Sequence, residues 1–314
     1  MRKRFAAPAI TFIAGLIAVL IFSAALRAQS TPPNAAGKKI GPSKWNNTPP
    51  DKSAYAAKKA APAPRHDVSG IWDAWTEGGI EAKGALEHPA LGANDRQDSV
   101  SGQPDEQNIL HPLPYTPAGL EALKANKPAV GIRAVPAALT NDPVDSCEPP
   151  GFPRTELFEF RVIELVQTKN QVLFLNQFYN NWRIIWTDRR ELPGDSEPPR
   201  WNGYSVGKWL DDYTLVVQTV GLDERTWLDN AGRPHSGDLR VEERFHRVDY
   251  DTLELTVSIS DPKMYTQPWL ALNKFVLHRL PGDFDPEEFI CSPSEVAEYN
   301  KSVGSPVAVP APAK

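Results

Sequence analysis

The chain has 314 residues, a formal net charge of −5 and only two cysteines. That length allows one large domain or two small ones, and the acidic balance without a basic run excludes nucleic acid as an expected partner. No Gly-x-Gly-x-x-Gly or phosphate-binding Gly-Lys-Ser/Thr loop occurs, and no His-x-x-x-His or Cys-x-x-Cys pair, so neither a cofactor nor a metal is expected.

The first residues set a positive cluster, Arg2-Lys3-Arg4, before an apolar run from Phe5 to Leu26, the order of a secretory signal. Residues 1–28 are therefore read as a signal peptide and the protein as periplasmic or secreted. A membrane is a partner only if this signal stays uncleaved, which Leu26 at the −3 position leaves open. Residues 29–66 are rich in Ala, Pro, Lys and Asn without hydrophobic periodicity and read as a disordered stalk, and residues 301–314 as a disordered tail. The folded body is then 67–300. An exported location makes Cys147–Cys291 a disulfide, closing a loop of 144 residues.

The body opens with DVSGIWDAW, a Gly-x-Trp at the start of a strand, and passes through an irregular stretch, 77–156. Within it Thr116-Pro117 is an N-cap followed by proline at the first helical position, so TPAGLEALKANK is expected to be helical. NDPVDSCEPPGFPR, whose prolines cannot donate to a ladder, is expected to be a surface or lid segment.

From residue 157 the pattern turns to short β-branched and aromatic runs split by turn residues. The candidate strands are 158–166, 171–179, 181–187, 203–209, 213–220, 239–248, 252–260 and 270–279, and SPSEVAEYN reads as a closing helix. The expected fold is mainly β: a single antiparallel up-and-down barrel with one or two short helices, or alternatively a β-sandwich.

Period-two alternation puts Leu239, Val241, Glu243, Phe245 and Arg247 on one face of their strand. A carboxylate on that apolar face is either a desolvated general acid or base, or half of an ion pair with Arg247 or Arg183. The loop 222–238 supplies Asp229 and His235 at the expected mouth of the barrel. The catalytic candidates are accordingly His235 and Glu243 as proton carriers, with Asp229 orienting the histidine. Nine tryptophans exceed what turn punctuation needs. Trp72, Trp186 and Trp209 are read as core. Trp201, Trp269 and Tyr265 are read as walls of a ligand site, and Arg183 as its polar anchor.

DVSGIW, NDPVDSCEPPGFPR, WNGYSVGKWLDDYTLVVQTV, WLDNAGRPHSGDLRVEERFHR and ISDPKMYTQPW together resemble a widespread family of exported bacterial proteins of unknown function. The resemblance spans most of the folded body, departs from the pattern at residues 208–212, and brings no assigned activity. Gly70-x-Trp72 is also similar to the lipocalin entry motif, which implies a calycin-like barrel by analogy.

These readings give three functional expectations. The first is an exported barrel that binds a small hydrophobic or aromatic molecule in its interior. The second is a cofactor-independent acid/base enzyme, a lyase, isomerase or hydrolase, using Asp229, His235 and Glu243. The third is an envelope scaffold or interaction protein.

Overall fold

The computed structural model describes residues 45–47, 50, 60–73, 113–129, 133–157, 162–194 and 196–304. The segment read as a signal peptide, most of the stalk, most of the irregular stretch between 74 and 112, and the tail from 305 lie outside the described residues. The chain divides into two compact units, Met1–Asn46 and Asn47–Lys314. Of the first only Trp45 and Asn46 are described, Trp45 being exposed.

The second unit is a closed barrel in which each strand pairs with its sequence neighbour and the last returns to the first. The strands are β1 (Gly70–Asp73), β2 (Ile163–Gln167), β3 (Gln171–Asn176), β4 (Asn181–Trp186), β5 (Tyr204–Trp209), β6 (Thr214–Val220), β7 (Arg240–Arg247), β8 (Thr252–Ser260) and β9 (Trp269–Arg279). Trp72 opposite Arg279 closes the ring. The barrel expected from the turn pattern is thus present, and the sandwich is not. Among the described residues three short α-helices accompany it: α1 (Pro117–Ala125), α2 (Arg154–Leu157) and α3 (Pro293–Tyr299). No helix among the described residues is long and apolar enough to cross a membrane.

One pairing corrects the antiparallel expectation. β4 and β5 run parallel and share only two register pairs, Ile185 with Ser205 and Trp186 with Val206. Parallel neighbours need a long crossover instead of a hairpin, and residues 187–203 supply it. The stretch of β4 from Asn181 to Ile184 therefore has no ladder partner on the β5 side. Side-chain amides stand in for the missing ladder. Asn202 Nδ2 donates to Asn181 Oδ1 (2.8 Å) and to the Trp182 carbonyl (2.9 Å), and Asn181 Nδ2 donates back to Asn202 Oδ1. Gly203, beside this junction, has φ +61, and a Cβ there would lie 2.7 Å from the Val220 carbonyl, so only glycine fits the turn.

The interior is filled. Inward positions alternate along β7 and β8 as the sequence pattern requires, with Val241, Phe245, Leu255 and Val257 joining one apolar cluster that spans the barrel. At one end Trp72 is fully buried and donates through Nε1 to the Val68 carbonyl, and the Arg247 guanidinium lies 4.5 Å from its ring centroid. Arg247 donates to the carbonyls of Asp249 and Tyr250. Burial, then the nearby Arg279, pulls its pKa down to about 10.

At the other end, α1 begins on the expected cap, with Thr116 Oγ1 accepting from Gly119 N at 3.0 Å, an arrangement worth about 1 kcal/mol. Only the first half of the segment expected to be a surface lid stays largely at the surface; the rest packs inward. Asp142, Val144 and residues 150–157 are buried, and Arg154 makes a two-pronged ion pair with Asp142 at 2.7 and 2.6 Å. Its prolines keep it out of the sheet, as expected, but do not keep all of it at the surface. The Cys147–Cys291 disulfide ties this segment to the approach to α3.

Candidate functional site

Glu243 does face the interior, as the alternation of β7 demands, and it is wholly buried. Its partner is Arg183 of β4, one of the two arginines expected for that role: Nη1 donates to Oε2 at 2.9 Å and Nη2 to Oε1 at 2.6 Å. Such a bidentate pair satisfies both carboxylate oxygens. Phe152 packs flat against the guanidinium, which sits 3.8 Å from the ring centroid.

The sequence pattern does not mark the third member of this cluster. Glu156 on α2 is also fully buried, and Arg183 Nη2 reaches its Oε1 at 3.4 Å. One guanidinium thus faces two carboxyl groups. Burial, and next the charge of Glu243, hold the Glu156 carboxyl well above the usual carboxylate range against the opposing pull of Arg183. Its Oε2 has no hydrogen-bond partner among the described residues. Burial and the neighbouring Glu243 thus favour the protonated form of Glu156 inside the barrel. Its sequence context, Pro153 to Leu157, carries no periodicity that would identify it as buried.

His235 and Asp229 do not join Glu243. Residues 226–236 are buried, packed beneath the N-terminal segment through bonds such as Asn126 Nδ2 to the Gly232 carbonyl (2.8 Å). Both ring nitrogens of His235 are engaged, Nε2 with Thr226 Oγ1 at 2.6 Å and Nδ1 with the Ser236 carbonyl at 3.1 Å. Burial pushes its pKa down, opposed first by the Ser236 carbonyl and then by Asp261. Asp229 pairs with Arg233 and accepts from the backbone N–H of Ala231 at 3.0 Å. It therefore braces its own loop, and neither nitrogen of His235 meets it. The expected relay of Asp229, His235 and Glu243 is not formed by direct hydrogen bonds.

The expected ligand walls separate in the same way. Tyr265 is buried, with its hydroxyl donating to the Pro234 carbonyl at 2.9 Å, and Trp269 packs edge-on against it in the core. Both are packing residues. Trp201 is half-buried and lines a groove on the outer wall of the barrel, and Arg183 contributes to the same lining.

This groove has a volume of about 680 Å³ and lies over the β4–β5 junction, with the crossover as its second wall. Outward positions of β4 and β5 supply Trp182, Trp186 and Tyr204, and the crossover supplies Trp201, Arg190 and Arg200. Trp182 is 60% exposed. Trp186, expected in the core, is half-buried and faces the groove.

Arginines hold three of the rings in place. Arg190 lies 3.5 Å from the Trp186 centroid, Arg225 4.5 Å from Trp201 and Arg200 4.1 Å from Tyr204. Two of these arginines are themselves fixed by aspartates two residues away, Arg190 by Asp188 and Arg225 by Asp223. Those bonds hold both aspartates below the usual carboxylate range. The Tyr204 hydroxyl donates to the Pro198 carbonyl at 2.9 Å. Among the described residues no cluster of His, Cys, Asp and Glu could hold a metal ion. The chain matches no family model, no curated protein and no solved structure.

Proposed function

We propose that the protein binds a small aromatic or hydrophobic molecule, and that it does so in the groove over the β4–β5 junction and not in the barrel interior. The observation that carries this is the contrast between the two spaces. The interior is occupied by an apolar cluster and an ion-paired triad, whereas the groove has the volume of a small-molecule site and presents four aromatic side chains. Three of those rings already carry an arginine on one face before any ligand arrives, a partly preformed wall that favours binding. Each ring stacked by a ligand contributes about 0.5–1.5 kcal/mol beyond area burial. Export to an oxidising compartment, which the Cys147–Cys291 disulfide suits, completes the reading of an extracytoplasmic binding protein.

The test is a tryptophan-fluorescence titration with a panel of bicyclic aromatic compounds. Saturable quenching is expected, weakened roughly tenfold in Trp182→Ala, the equivalent of about 1.4 kcal/mol. Trp182 is exposed, so its removal leaves the fold intact. A panel in which no compound gives saturable quenching removes the proposal.

A further inference from the structure

We infer that the ligand of this groove carries an anionic group, a carboxylate or its equivalent, and that Arg200 reads it. The inference rests on the groove being the binding site. Four charged residues line it: Arg183, Arg190, Arg200 and Glu191. Arg183 is committed to Glu243 and Arg190 to Asp188. Arg200 alone among the three arginines has no carboxylate partner among the described residues, and its side chain makes no hydrogen bond there.

Its backbone is nevertheless held in place. Its backbone N–H donates to the Gly221 carbonyl at 2.9 Å, and its own carbonyl accepts from Gly203 and Asp223 at 3.1 Å each. Its guanidinium lies over the Tyr204 ring. An exposed planar fork that is unpaired and stacked on an aromatic wall is suited to an anion whose body stacks on the neighbouring rings. Glu191 does not offset this. It stands on the crossover at the side of an adjoining hollow of about 250 Å³ that Arg190 and Lys208 also line. It is exposed and, among the described residues, makes no side-chain bond that would fix its position.

The experiment compares three probes of one shape by fluorescence titration of the full chain: 2-naphthoate, 2-naphthylmethanol and 2-naphthylmethylammonium. The naphthoate is expected to bind at least about tenfold tighter than the neutral alcohol, in keeping with one charge-assisted hydrogen-bonded contact. In Arg200→Gln the ratio of naphthoate to alcohol affinity falls to about one, whatever loss of the Tyr204 stacking contact does to both affinities alike. Arg200→Lys, which keeps the charge and loses the fork, retains part of the preference. Added salt weakens the naphthoate and not the alcohol. Thermal melts of both variants verify that the barrel is intact.

Equal affinity for acid and alcohol overturns the inference and leaves the groove reading standing. Tighter binding of the ammonium overturns it in favour of Glu191. Saturation by none of the three removes the groove reading and this inference with it.

Discussion

Replacing Glu156 by glutamine tests whether the barrel interior carries a proton. The triad places one guanidinium against two buried carboxyl groups, and the Glu156 carboxyl is raised well above its ordinary value of 4.5. The folded state therefore binds one more proton than the unfolded chain between pH 4.5 and the folded pKa. The stabilisation this group contributes is complete below 4.5 and is lost as pH rises through that window. The slope is about 1.4 kcal/mol per pH unit. Glutamine has nearly the same shape and is neutral at every pH, so Glu156→Gln lacks this slope. Urea unfolding of the oxidised protein, in steps from pH 5 upward, should show the variant gaining on the wild type at about that rate until the folded pKa is reached. A stability difference that stays constant with pH would show that Glu156 is ionised in the fold. A large loss in Glu156→Gln at neutral pH would mean that it is the anion Arg183 requires.

Arg183→Met leaves two carboxyl groups buried without their cation and should destabilise the barrel by about 3–5 kcal/mol in the same assay, the usual cost of breaking a buried pair. His235, whose pKa burial lowers, contributes stability that is present above its unfolded value of 6.5 and lost as pH falls toward the folded value. His235→Gln should accordingly flatten the acid limb of the stability profile, and an unchanged limb would place the lost protons elsewhere. Reducing Cys147–Cys291, or replacing both by serine, opens a 144-residue loop and should lower stability by up to about 5 kcal/mol on the chain-entropy account, read as a shift of the urea midpoint.

Much of the barrel is legible in the sequence because strands announce themselves locally. Thr252–Ser260 alternates residue by residue and is buried in the same rhythm, and the alternation of β7 places Glu243 inside whatever its partner. The parallel junction is not legible from alternation, since a strand has the same period whichever way its neighbour runs. The available signal is length: residues 187–203 are far too many for a hairpin, and a connection of a dozen or more residues is what parallel strands need. The environments of Glu156 and His235 escape a sequence reading for a different reason. Both residues lie in segments rich in proline, glycine and polar residues, a composition that ordinarily marks the surface. Here such segments are packed against each other at one end of the barrel, with Asn126 bonded to the loop and Arg154 paired to Asp142, so their burial depends on contacts far apart in sequence.

The same irregularity explains why the groove lies where it does. A closed antiparallel barrel with a filled core offers a ligand only its ends or its outer face, and its outer face is ordinarily smooth. Where β4 and β5 pair at only two positions, the wall loses its continuous ladder, and amides from Asn181 and Asn202 close it instead. The crossover that a parallel pair requires must then pass over the outside, where it becomes a second wall facing Trp182, Trp186 and Tyr204. Of the four groove rings, three are covered on one side by arginines that the crossover or the neighbouring loop supplies. Without the crossover they would be isolated surface aromatics; with it they form a preorganised cleft. Arg183 belongs to the strand that lines that cleft and turns its side chain into the buried triad, so the outer site and the interior cluster are joined through one residue of β4.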